Sequence, residues 1–247
     1  MSAVEIGLTV MVKQSEIGDK IEIETRYANI LERLRSAEVR FGRPPGSVCL
    51  LAVSKNQSCN AVRAINKMGQ IHFGENQLQD ALPKIYEFSK SRIIWHFIGA
   101  IQTNKCKDIA INFDWVHSIE RFKTARRLSA FRPDKLKPLN ILLQVNLQNE
   151  PTKSGVNPND IKELTKKVTE LPNLNMSGLM TIPRPNSDFA QQRLVFRELR
   201  EIQTELSRSL KLNLPHLSMG MTDDLEAAVA EGATHIRIGT GIFGPRQ

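Results

Sequence analysis

The sequence predicts a single α/β domain, a (β/α)8 barrel of the TIM type with an extra helix ahead of its first strand. Three observations carry that expectation. Eight short apolar runs of strand length alternate with segments of helical period along the whole chain. The 247 residues are close to the ~250 that such a barrel typically needs. No long linker or change of composition divides the chain, so residues 20–247 are expected to form the barrel and residues 1–19, which show no sustained period, a flexible tail. A doubly wound open sheet is the alternative architecture. No Gly-x-Gly-x-x-Gly follows the first strand, however, and the usual sign of a dinucleotide site is therefore missing.

Taken in order, Tyr27, Ile30, Leu31, Leu34 and Phe41 recur at helical spacing from Ile23 onward, with Gly42 as the stop and Pro44 and Pro45 beyond it. Val48 to Lys55 is a continuous apolar run ending in Ser54 and Lys55, the pattern of a strand buried on both faces whose carboxyl end opens into a site. The helix expected over 60–68 leads to a second strand over 71–74. Residues 76–89 are helical, and Ile93 to Ile98 form the third strand, ended by Gly99. The segments 103–112 and 122–131 flank a fourth strand, Trp115 to Ile119. After Pro133 and Pro138 comes the strongly β-like run Leu139 to Asn146. Helices over 158–171 and 188–210 alternate with strands over 176–182 and 216–219, and a last pair closes the set, a helix over 223–231 and a strand over 235–239.

Composition narrows the class. Apolar residues at 40% and charged residues at 24% are those of an ordinary globular protein. The three cysteines, Cys49, Cys59 and Cys106, have no metal-site spacing, which points to reduced thiols. The first residues lack a basic region ahead of an apolar block, and no run approaches the roughly 18 apolar residues of a membrane span, so a cytoplasmic location is expected. The net charge of +8 permits loose attraction to polyanions. The densest basic group, Arg121, Lys123, Arg126, Arg127, Arg132, Lys135 and Lys137, has few aromatics among it, which argues against nucleic acid as the main partner.

Three stretches can carry chemistry. Lys55 at a strand end inside an apolar mouth would lose hydration and become a nucleophile toward a carbonyl. In Leu217 to Glu226, a strand passes through Ser218 and Gly220 into a helix that opens on Asp223, Asp224 and Glu226. Such a turn offers backbone N–H groups and a hydroxyl to a phosphate, although the acidic residues also suit plain helix capping. In Ile236 to Gly244, Arg237 sits in an apolar strand, where an unpaired guanidinium is costly, and Gly239, Thr240 and Gly241 follow it. Barrels frequently hold phosphate on the loops after strands 7 and 8, where these two turns fall.

Together with these, His-Phe-Gly-Glu-Asn (72–76), Trp-His-Phe-Ile-Gly (95–99) with Gln102, Asn104 and Lys105, Lys-Ser-Gly (153–155) and Gly-Leu-Met (178–180) make the chain resemble the pyridoxal phosphate homeostasis proteins, the YggS/PROSC family, from about residue 22 onward. The resemblance implies a barrel like the N-terminal domain of alanine racemase, with pyridoxal 5'-phosphate held as a Schiff base on Lys55. It further implies that Ser218, Gly220, Gly239 and Thr240 hold the phosphate, that Arg237 faces the pyridine nitrogen, that Met180 packs on the ring and that Asn76 lies nearby. The family usually has a threonine and then a proline after the lysine; this chain has Asn56, Gln57 and Ser58. His72 and His96 read as core histidines, and Glu75 with Asn76 as a helix cap or an orienting pair; none of them supports a metal site.

Binding this cofactor does not make a catalyst, which also needs an electron sink and a positioned base. An arginine facing the ring nitrogen has no proton acceptor, so the ring would be a weak sink. The further β domain that supplies a second base in alanine racemase has no counterpart expected after Gly244, and the two tyrosines, Tyr27 and Tyr86, fall in helices away from the mouth. The expected role is therefore storage or delivery of pyridoxal phosphate in vitamin B6 homeostasis, with apo-enzymes as recipients and the protein a monomer. An amino-acid racemase-like enzyme is the alternative.

Overall fold

The computed structural model describes residues 3–148 and 154–245, with side chains described from Lys20 onward. Eight strands, β1 (Cys49–Val53), β2 (His72–Glu75), β3 (Ile94–Phe97), β4 (Trp115–Ile119), β5 (Leu139–Gln144), β6 (Leu174–Met180), β7 (His216–Ser218) and β8 (His235–Ile238), close into a barrel in sequence order. Every neighbouring pair is parallel, and β8 returns to β1 through Cys49↔His235 and Leu51↔Arg237. The barrel architecture read from the sequence is the one observed.

Helices pack outside the sheet: α2 (Cys59–Lys67), α3 (Leu78–Glu87), α4 (Cys106–Asn112), α5 (Phe122–Phe131), α6 (Ile161–Thr169), α7 (Phe189–Leu210), α8 (Leu225–Ala230) and the short α9 (Thr240–Phe243). Six of the strands stop one or two residues short of the ends the apolar runs suggest, because the chain leaves the sheet into turns; β4 ends as expected and β2 runs one residue farther, to Glu75. At β1 the cause is local: Asn56 takes φ 58°, a left-handed conformation that asparagine tolerates, and Ser58 then caps α2 by accepting from the Ala61 amide.

The first helix, α1 (Ala3–Arg40), starts well ahead of Ile23. Residues 3 to 40 contain no proline and two glycines, so nothing in the sequence forces a stop there. The side chains of residues 1–19, where a flexible tail is expected, lie outside the described residues. Farther on, α1 buries Tyr27, Ile30, Leu34 and Ala37 against the barrel, and the buried Glu38 carboxylate accepts from the amides of Gly46 (2.8 Å) and Val48 (2.7 Å), fixing the entry to β1. Arg33 reaches across to α8, donating to both Glu226 oxygens (2.5 and 2.6 Å) and to the Thr222 carbonyl (2.7 Å). The extra helix thus braces one of the turns at the mouth.

The inside of the barrel is unusual. TIM-type interiors are mostly branched aliphatics, but here four of the five histidines of the chain surround Trp115 and the fifth, His72, packs on His96. The Trp115 ring centroid lies 5.0 Å from His216, 5.3 Å from His235 and 5.6 Å from His96.

Candidate functional site

The carboxyl ends of the strands form one mouth, and Lys55 stands two residues beyond the end of β1. Its neighbour Ser54 is fully buried and held on three sides. The Ser54 amide donates to the Gly74 carbonyl (3.0 Å), its hydroxyl to Glu75 Oε1 (2.6 Å), and its carbonyl accepts from Lys84 Nζ (2.7 Å). Lys84 also pairs with Glu75 Oε1 at 2.8 Å, so a buried ion pair anchors the backbone immediately before Lys55. Lys55 itself is half-buried and has no hydrogen bond or ion pair with any described residue.

The turns after β7 and β8 meet beside it. Gly220 has φ +96°, and a Cβ there would lie 2.5 Å from the Ala228 Cβ; the Met221 amide donates to Asp224 Oδ1 (2.5 Å), closing the turn. A Cβ on Gly239 would stand 3.5 Å from the Val53 carbonyl oxygen, which sets this turn against the end of β1; one on Gly241 would reach Thr222 Oγ1 at 3.0 Å. The first bonds of α9 are donated by Ile242 and Phe243 to the Gly239 carbonyl. The amides of Gly239, Thr240 and Gly241 ahead of them have no intrahelical acceptor, as at any helix start, and Thr240 is exposed. Thr222, half-buried across from Gly241, was not singled out by the sequence, although a hydroxyl residue two places after Gly220 is a readable signal.

Arg237 is fully buried on β8. Its Nη1 donates to Ser218 Oγ (2.9 Å) and its Nη2 to the Thr181 carbonyl (2.9 Å), and it has no ion pair among the described residues. Burial lowers the guanidinium to about 10, with Asp224 opposing at a distance. The Ser218 hydroxyl lies 2.8 Å from His117 Nδ1 and accepts from Arg237. Met180, paired in register with Ser218, is also fully buried.

Asn76 follows β2, and its buried Oδ1 has no partner. Gly99 permits the close approach of the next loop, since a Cβ there would fall 2.0 Å from the Asn76 carbonyl oxygen. A crevice of about 340 Å³ opens on this side, lined by Asn76, Gln77, Phe97, Gln102 and Lys105 among others. Lys153 of the Lys-Ser-Gly motif lies outside the described residues; Gly155 donates its amide to Glu120 Oε2 (2.9 Å). Among the described residues no group of three or more histidine, cysteine or acidic side chains could hold a metal.

A closed parallel barrel with a free lysine past β1, a buried arginine on β8 and glycine turns after β7 and β8 defines an alanine racemase-type barrel. The family described as alanine racemase, N-terminal domain, matches residues 27–247. The chain is 49% identical to the pyridoxal phosphate homeostasis protein of Pseudomonas aeruginosa, over 91% of this chain and 96% of that one, and belongs to that family. The solved structure of PipY from Synechococcus elongatus, with PLP bound, superposes with a TM-score of 0.79 at 35% identity, covering 90% of this chain and all (100%) of that one. Alanine racemase from Corynebacterium glutamicum shares the fold, with a TM-score of 0.68 at 13% identity over 92% of this chain and 62% of its own.

Proposed function

We propose that this protein binds pyridoxal 5'-phosphate as a Schiff base on Lys55 and acts in intracellular PLP homeostasis, storing or delivering the cofactor without catalysis of its own. The observation that carries the reading is the pairing of Lys55 with the buried Arg237, neither of which has an ion pair among the described residues, beside the amides that open α9. The donors for a phosphate are the Ser218 hydroxyl and the amides around Gly220, Gly239 and Thr240, with the Thr240 and Thr222 hydroxyls. Arg237 faces the ring, Ser218 holds Arg237 in place, and Met180 and Asn76 border the cofactor.

The bound cofactor supplies an aldehyde for the lysine amine and a ring able to withdraw electrons from an attached carbon. Arg237 keeps its protons and donates from two of its nitrogens to neutral oxygens, so it offers the ring a hydrogen bond and not a proton. No tyrosine serves as a partner base: Tyr27 is buried and donates to Gln70 (3.3 Å), and Tyr86 is 63% exposed on α3. The reading includes a monomer in the cytoplasm, PLP-dependent apo-enzymes as recipients, and no role for nucleic acid. Among the described residues no helix is long and apolar enough to cross a membrane.

The test is a turnover assay on the loaded protein with alanine and other amino acids, alongside transfer of the cofactor to an apo-enzyme reporter. Activation of the reporter without racemisation supports the proposal. Racemisation at an enzymatic rate, abolished by Lys55→Ala, replaces it with the racemase-like alternative.

A further inference from the structure

A continuous row of hydrogen bonds crosses the inside of the barrel. His72 Nδ1 lies 2.9 Å from His96 Nε2, His96 Nδ1 lies 2.9 Å from His117 Nε2, and His117 Nδ1 lies 2.8 Å from Ser218 Oγ, which accepts from Arg237 Nη1 at 2.9 Å. His72 is the first residue of β2 and is half-buried at the floor, whereas Ser218 and Arg237 lie toward the mouth. We propose that Ser218, His117, His96 and His72 form a polarised hydrogen-bond row in which the donor arrangement at Arg237, toward the mouth, fixes the tautomer of each histidine down to the floor of the barrel. The inference rests on Arg237 belonging to the functional site.

Counting donors sets the direction. Burial and the neighbouring histidines hold His96 and His117 well below the ordinary imidazole range, so both are neutral and each has one N–H and one lone pair. Each uses both nitrogens within the row. Ser218 Oγ has two side-chain partners among the described residues, and Arg237 can only donate to it. The hydroxyl hydrogen therefore has a single acceptor, His117 Nδ1. If His117 donated instead, that hydrogen would be buried without a partner, which folded proteins avoid. Once His117 Nδ1 accepts, His117 Nε2–H donates to His96 Nδ1, and His96 Nε2–H donates to His72 Nδ1. His72 is left with its proton on Nε2.

The surrounding charges favour the same polarity. The Arg237 cation on β8 stands at the accepting end, and Asp114, just before β4, is the acidic group that acts on His72. His216 on β7 and His235 on β8 flank the row. Burial pushes His235 down to about 3 and lowers His216, so neither adds a competing charge near neutral pH.

The test is two-bond proton–nitrogen NMR on histidine-labelled protein without cofactor, which reads the tautomer of each ring. The expected result is the Nε2–H form for His72, His96 and His117 from about pH 6 to 8, and a change at His72 when Ser218→Ala removes the donor at the far end. Ser218→Thr, which keeps the hydroxyl, should restore the wild-type pattern, and near-ultraviolet circular dichroism checks that each variant is folded. Mixed or Nδ1–H tautomers in the wild type, or a His72 signal indifferent to Ser218→Ala in a folded protein, would overturn the proposal. Cofactor binding, read separately by visible absorbance, fails or holds independently of this result.

Discussion

Replacing Lys84 by methionine tests the anchor beneath Lys55. The pair is buried on both sides, with Lys84 at 6% and Glu75 at 0% side-chain exposure. Methionine conserves most of the volume, but leaves the Glu75 carboxylate in the core with Ser54 Oγ as its one donor and with Oε2 already unpartnered. Removing one member of such a pair costs about 3–5 kcal/mol. In urea, with a slope near ~3 kcal/mol/M, the midpoint should fall by about 1–2 M at pH 7.

The penalty should also depend on pH. Burial already raises Glu75 above the usual carboxylate range, and Lys84 opposes that shift. Without Lys84 it rises further, so at neutral pH folding must either bury a charge or take up a proton that the unfolded chain releases above ~4.3. The loss is therefore smallest in acid and grows toward neutrality. Lys84→Met with Glu75→Gln should recover most of it, because the uncompensated charge is gone. A single-variant cost below about 1 kcal/mol that is the same at pH 5 and pH 7 would refute the reasoning.

Gly220→Ala forces a Cβ into a left-handed turn and to 2.5 Å from Ala228, and should cost about 2–4 kcal/mol by thermal unfolding while weakening phosphate retention. Lys55→Ala removes a side chain with no described partner, so the unfolding midpoint should stay within about 0.5 kcal/mol of wild type while the cofactor is no longer fixed by borohydride. The buried histidines are neutral in the fold and protonate in the unfolded chain below ~6.5. Stability should accordingly fall as pH drops from there toward about 3, the value for His235, in a urea series across that window. His117→Leu should flatten the series; an unchanged slope would count against a neutral buried row.

Much of this was legible in the residues. The alternation of apolar runs indicated eight strands, and the serine and lysine closing the first run marked the mouth, because the apolar run stops there. Arg237 stood out for the converse reason, a cation inside an apolar run. What could not be read was orientation. Ser218 shares its turn motif with Gly220, and nothing in the residues alone says that its hydroxyl meets His117 Nδ1 and Arg237. The histidine row was missed because the five residues are dispersed from 72 to 235 and come together only when the barrel closes, although all five stand in predicted strands.

The most direct test of the central claim is borohydride reduction of the cofactor-loaded protein followed by peptide mapping, beside the visible spectrum. The account predicts a yellow protein that bleaches on reduction, with the pyridoxyl group recovered on the peptide bearing Lys55 and absent from Lys55→Ala. A protein that stays colourless with added pyridoxal phosphate, or a label recovered on another lysine, would contradict it.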